Sequence, residues 1–73
     1  MQIKEGGKMK NNITVGERLR NLRGSRSQAE VADALGISQA ALSSYENNER
    51  IPRDPVKIRI AKYYNRSVAF IFF

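Results

Sequence analysis

The side chains in this 73-residue chain that could do chemistry are guanidiniums, amides and hydroxyls. Thirteen Lys and Arg face seven Asp and Glu, a net charge of +6, and there is neither histidine nor cysteine. An imidazole base, a thiolate nucleophile and the nitrogen or sulfur ligands of zinc are therefore missing from the available set. No convincing carboxylate pair and no phosphate-cradling glycine loop replaces them, so no enzyme, no cofactor and no small-molecule site is expected. What remains is non-covalent recognition. Guanidiniums match phosphate with a planar fork of donors. A primary amide offers a donor and an acceptor side by side. A basic surface on a small domain favours polyanions, chiefly nucleic acid or an anionic membrane face, and plain solubility is the other use of the same charge.

These groups are unevenly spaced. Between Ser27 and Asn47 there is no Lys or Arg, and the only charges are Glu30, Asp33 and Glu46. Arg18, Arg20 and Arg26 precede this stretch, and Arg50 and Arg53 follow it. Affinity for a polyanion would have to come from the flanks, as a clamp on phosphates, while short, neutral side chains in the middle read what lies between. Gln39 suits adenine through a bidentate pair, Ala40 can meet a thymine methyl, and Ser43 or Ser44 can donate or accept. Half-sites containing A·T pairs are expected. On pattern alone a merely solvated helix face fits these residues as well.

Helices must position them. Thr14-Val-Gly-Glu17 has the spacing of a capping box, and Val15, Leu19 and Leu22 then share one face up to Gly24. Ser27-Gln-Ala-Glu30 repeats the signal, with Val31, Ala32 and Leu35 as the inward stripe and Gly36 where the chain can turn with positive φ. Ser38 caps a third helix, expected to run to about Asn47, with Leu42 and Tyr45 inward and Ala41 beside them. Asp54-Pro55 reads as an N-cap and a first-turn proline for a fourth helix to about Tyr64. Its expected inner face is Ile58, Ala61 and Tyr64, widened by Val56, Ile60 and Tyr63. Ser67 caps a last short helix, "VAFIFF". No strand pattern and no repeat is visible, so the fold class is all-α.

Helix two, a tight turn at Gly36 and helix three form a helix-turn-helix. Ala32 is small enough for the helices to cross closely, Ile37 and Leu42 lock the angle, and the second helix is held outward. "SQAEVADALGISQAALSSYENNERIP", with "GERLRNLR" before it and "IAKYYNRSVAFIF" after it, resembles the Xre/Cro-type helix-turn-helix family, which includes phage repressors. The resemblance covers roughly residues 14 to 73. It implies a compact five-helix, lambda-repressor-like domain that binds operator DNA, usually as a dimer. Gln28 then falls at the start of helix two, touching the DNA backbone. Ser38, Gln39, Ala40, Ser43 and Ser44 fall on the reading helix, with Ser38 at the backbone. Asn47 and Asn48 match the phosphate-contacting loop after it, and Arg23 with Glu46 matches a partly buried ion pair tying helix one to helix three. The chain departs from the family in a shorter connection between helices one and two, in Asn48 where glycine is frequent, and in Asp54 and Lys57 where apolar residues are common.

The ends carry their own expectations. "EGGKM" can be encoded as GAA GGA GGT AAA ATG, a purine-rich ribosome-binding sequence just before Met9. Met9 is therefore the expected start, residues 1–13 a flexible tail and residues 14–73 the domain; the intact mass of the native protein checks this. A basic arm of Lys4, Lys8 and Lys10 touching DNA is the other reading of the tail. At the far end Phe70, Phe72 and Phe73 cannot all point inward on so short a helix, and exposed aromatics in a small domain mark a partner surface. A two-fold homodimer through the last helix is expected, with reading helices roughly 34 Å apart; exposed, frayed termini are the plainer alternative. With no membrane-spanning run and no signal peptide, the expected location is the cytoplasm. The function expected is a sequence-specific, double-stranded DNA-binding transcription regulator, a repressor. A protein-binding regulator of the antitoxin type, acting through the C-terminal aromatics, is the alternative.

Overall fold

Four of the five helices among the described residues start at a hydroxyl that closes its own first turn. The computed structural model describes residues 13–73; the Met9 start and the arm of Lys4, Lys8 and Lys10 lie outside the described residues. The helices are α1 (Val15–Arg23), α2 (Gln28–Leu35), α3 (Gln39–Glu46), α4 (Asp54–Tyr64) and α5 (Val68–Phe72), with no strand among the described residues. Thr14 accepts from the Glu17 amide, and Glu17 accepts in return from the Thr14 amide, a complete capping box. Ser27, Ser38 and Ser67 each accept from the amide three residues on. The Ser27 box is one-sided, because Glu30 makes no return bond. Arg53, not Asp54, caps α4, and it does so without a side-chain bond. Asp54 instead opens the helix and acts by charge, at the positive end of the dipole and 3.8 Å from Lys57.

The core is Leu19 from α1, Val31, Ala32 and Leu35 from α2, Leu42 and Tyr45 from α3, Ile60, Ala61 and Tyr64 from α4, and Ile71 and Phe72 from α5. Two expectations are corrected here. Ile58 is 48% exposed, because the inward stripe of α4 centres on Ile60, Ala61 and Tyr64 and leaves Ile58 on its flank. Lys57 lies inside that stripe: its side chain is largely covered, and its ammonium sits 5.6 Å from the Phe72 ring and 5.1 Å from the Phe73 ring. Phe72, expected at a dimer interface with Phe70 and Phe73, is buried in the chain's own core. On α5 it lies next to Ile71 on the inner side, whereas Phe70 and Phe73, three residues apart, stay outside at 56% and 81% exposure.

The start of α1 and the end of α3 approach each other closely. A Cβ on Gly16 would collide with the Glu46 carbonyl oxygen. Asn48 seals the same contact. Its backbone is left-handed (φ 63°), its Oδ1 accepts from the Gly16 amide at 2.9 Å, and its Nδ2 donates to Thr14 Oγ1 at 3.0 Å. That conformation costs glycine nothing, and asparagine tolerates it better than most residues. Here the asparagine adds two long-range bonds in return.

Candidate nucleic-acid interface

The turn between α2 and α3 is closed by a pair of backbone bonds. Gly36 is left-handed (φ 72°, ψ 31°), its amide donates to the Asp33 carbonyl at 3.1 Å, and the Ile37 amide reaches back to Ala32 at 3.0 Å. This pair of bonds is a Schellman closure, and it satisfies carbonyls that the helix end leaves open. Arg59 on α4 caps the same end, donating to the Leu35 carbonyl at 3.0 Å. Two residues past the glycine, Ser38 starts α3 in a new direction.

Helix α3 is divided lengthwise. Leu42, Tyr45 and Glu46 are buried, and Ala41 packs against the core. At 100° per residue the opposite side carries Ala40, with Gln39, Ser43, Ser44 and Asn47 around it. Ser38, Gln39, Ala40 and Asn47 are exposed, and Ser43 and Ser44 are half-buried. Among the described residues Gln39 makes no side-chain hydrogen bond. The outward face is thus uncharged, with side chains short enough for close approach to a base edge.

The flanking residues divide into those free to reach a partner and those held by the fold. Arg18 and Arg20, two residues apart on α1, point to nearly opposite sides of it. Arg18 donates to the Ile71 carbonyl at the end of α5 at 3.0 Å, so the expected clamp does not gain it on the α3 side. Arg20 faces α3 and donates through Nη2 to the Glu46 carbonyl (2.8 Å) and to Asn47 Oδ1 (2.9 Å). Arg26 lies exposed over the Tyr63 and Tyr64 rings, 5.4 and 5.7 Å from their centres. Arg50, also exposed, stands 5.9 Å from the Tyr45 ring. Arg53 is exposed at the start of α4. Asn48 has both ends of its amide committed to α1 and is a latch before it is a phosphate contact. Gln28 donates to Glu46 Oε1 at 2.9 Å, which orients its amide at the start of α2.

Glu46 joins these parts. It is 1% exposed, and Arg23 grips it with Nε at 2.7 Å from Oε2 and Nη2 at 3.0 Å from Oε1. That hydrogen bond raises the Arg23 guanidinium further above its ordinary range, against the opposing effect of burial. Tyr64 lies nearby, its hydroxyl buried without a hydrogen-bond partner among the described residues. Burial, and then the Glu46 charge, push its phenol up to about 12. Sequence reasoning missed the carbonyl-capping roles of Arg18, Arg20 and Arg59, the Gln28–Glu46 bond and the Asn48 latch. One signal was available: Gly16, Arg20 and Arg23 fall at i, i+4 and i+7, one stripe of α1 turned to α3. The other partners are distant in sequence.

A family model described as helix-turn-helix matches residues 17–71. No curated protein and no solved structure matches the chain. No helix among the described residues is long and apolar enough to cross a membrane.

Proposed function

Because the chain belongs to the Xre/Cro-type helix-turn-helix family of DNA-binding transcription regulators, matched over residues 17–71, we propose that it is a sequence-specific repressor acting in the cytoplasm on a two-fold operator. The observation that carries this reading is the division of α3: one side is locked by Leu42, Tyr45 and Glu46, while the other presents Gln39, Ala40, Ser43 and Ser44 outward. Arg20, Arg26, Arg50 and Arg53 supply phosphate contacts, and Gln28, Ser38, Asn47 and Asn48 add polar ones at the edges of the site. Phosphate contacts set register and salt-sensitive affinity, and the neutral face sets sequence. Gln39 pairs with adenine and Ala40 meets a thymine methyl.

The protein works as a homodimer through the outer face of α5, where Ala69, Phe70 and Phe73 are exposed. Phe73 borders a groove with Ile58 and Val68 on one side, and Phe70 borders another with Ile13 and Leu22 on the other. An exposed apolar surface of this kind suits a self-complementary contact. The same surface supports the second reading, capture of a protein partner.

Binding-site selection with the purified protein tests the function. The expected result is an A·T-containing two-fold site with steeply salt-dependent affinity. Gln39→Ala lowers affinity for that site by about tenfold and leaves non-specific binding nearly unchanged. Contact positions that are all G·C overturn the Gln39 assignment. A folded protein without DNA affinity favours the partner-binding reading.

A further inference from the structure

Ser43 on the reading face is not a free hydroxyl. Asn47 Nδ2 donates to Ser43 Oγ at 3.3 Å, and Asn47 Oδ1 accepts from Arg20 Nη2 at 2.9 Å. A guanidinium can only donate, so the amide of Asn47 can only take this orientation, with its oxygen to Arg20 and its NH2 to Ser43. The chain Arg20→Asn47→Ser43 therefore has one direction. It ends on a serine oxygen with one of its two lone pairs already engaged, so that its O–H is the stronger of the functions left to it. A positive charge at the head of such a chain polarises each bond after it and strengthens the last donor. Accepting from a base amino group as well would converge two donors on one hydroxyl oxygen while its own hydrogen turned away.

Resting on the DNA-reading function above, we infer that Arg20 and Asn47 orient Ser43 as a hydrogen-bond donor toward the major groove, making it a specificity-determining residue that rejects cytosine. Guanine, adenine and thymine each present an acceptor there: N7 and O6, N7, and O4. Cytosine presents only its amino donor. The base facing Ser43 is thus chosen by a polarity set on α1, a helix that carries no reading residue itself. Asn47 and Arg20 act as positioning residues for this contact.

Binding-site selection with variants tests it, read as base preference position by position and not as total affinity. The unaltered protein excludes cytosine roughly tenfold at one half-site position, and Ser43→Ala abolishes that exclusion. Asn47→Asp replaces the amide by an acceptor-only carboxylate, which still accepts from Arg20 and now also accepts from the Ser43 hydroxyl. Ser43 then offers lone pairs, and cytosine becomes acceptable at the same position even though the added negative charge weakens binding everywhere. Asn47→Ala, which leaves Ser43 free to rotate, relaxes the exclusion without inverting it. The melting temperature of each variant monitors the fold. A preference that survives Ser43→Ala unchanged overturns the inference and leaves the DNA-reading function standing, as does continued exclusion of cytosine by Asn47→Asp. Absence of any sequence preference in the unaltered protein overturns both.

Discussion

Both carboxylate oxygens of Glu46 are used inside the protein, and its backbone carbonyl is used as well. Such a group is costly to bury and more costly to orphan. Glu46→Ala leaves Arg23 charged and unpaired and is expected to lose about 3–5 kcal/mol of stability, seen as a lowered urea midpoint. Tyr64 behaves oppositely. Its hydroxyl is covered without a partner, so Tyr64→Phe is expected to be neutral or to stabilise by up to about 1 kcal/mol. The same residue sets an alkaline limit. Its folded-state phenol sits at about 12, above the ordinary value of 10.0, so the folded protein holds this proton more tightly than the unfolded chain. The contribution is whole below pH 10 and is lost as pH rises from 10 to 12. Denaturation curves across that window should show the loss in the native sequence and a smaller slope in Tyr64→Phe. The Arg23–Glu46 pair was legible through the family resemblance, but the Tyr64 effects were not: a tyrosine at helical spacing reads as core, and the bond its hydroxyl lacks is a fact of the neighbours.

At the scale of elements, local signals and long-range contacts separate cleanly. Thr14, Ser27, Ser38 and Ser67 cap their helices through bonds three residues long, so the starts of those four helices were legible from residue types alone. The start of α4 was less so, because Asp54 and Pro55 satisfy two registers equally well. The inner face of α4 was misjudged at Ile58 for a similar reason: hydrophobicity marks a wide band, and only packing chooses its centre at Ile60, Ala61 and Tyr64, with the largely covered Lys57 at its edge over the Phe72 and Phe73 rings. The α1–α3 contact is the strongest test of element packing. Gly16→Ala drives a methyl into the Glu46 carbonyl and is expected to lose about 3 kcal/mol or more, measured by urea unfolding. Asn48→Ala loses two hydrogen bonds and strains a left-handed backbone, so its stability, read from urea unfolding, should fall by about 2–3 kcal/mol, whereas Asn48→Gly removes the strain and should lose about 1 kcal/mol less.

For the whole molecule, the three terminal phenylalanines separate folding from assembly. Phe72 belongs to the core, so Phe72→Ala is expected to cost about 3–4 kcal/mol of folding stability. Phe73 is mostly exposed, so Phe73→Ser should leave the melting temperature nearly unchanged and shift the proposed dimer toward monomer in sedimentation. DNA binding by that variant should lose its steep concentration dependence along with the second half-site. A native protein whose mass in solution is monomeric at every concentration, free or on its operator, removes the two-fold arrangement but not the reading helix.

Composition and spacing by themselves determined that the fold is all-α, that α2 and α3 are joined by a turn at Gly36, and that the stretch between the arginine clusters carries no Lys or Arg. Each of these depends on contacts within about one helical turn or on charge counts, and such information lies in neighbouring letters. Tertiary structure alone decided which polar groups are free. It set Arg18 against the end of α5 and Arg20 against the end of α3, closed the Asn48 amide onto α1, withdrew Phe72 from the surface and ran a directed chain of hydrogen bonds from Arg20 to Ser43. The physical reason is that a long polar side chain takes its partner from whatever backbone end or amide the packed helices bring within about 3 Å, and that neighbour is fixed by how the helices cross.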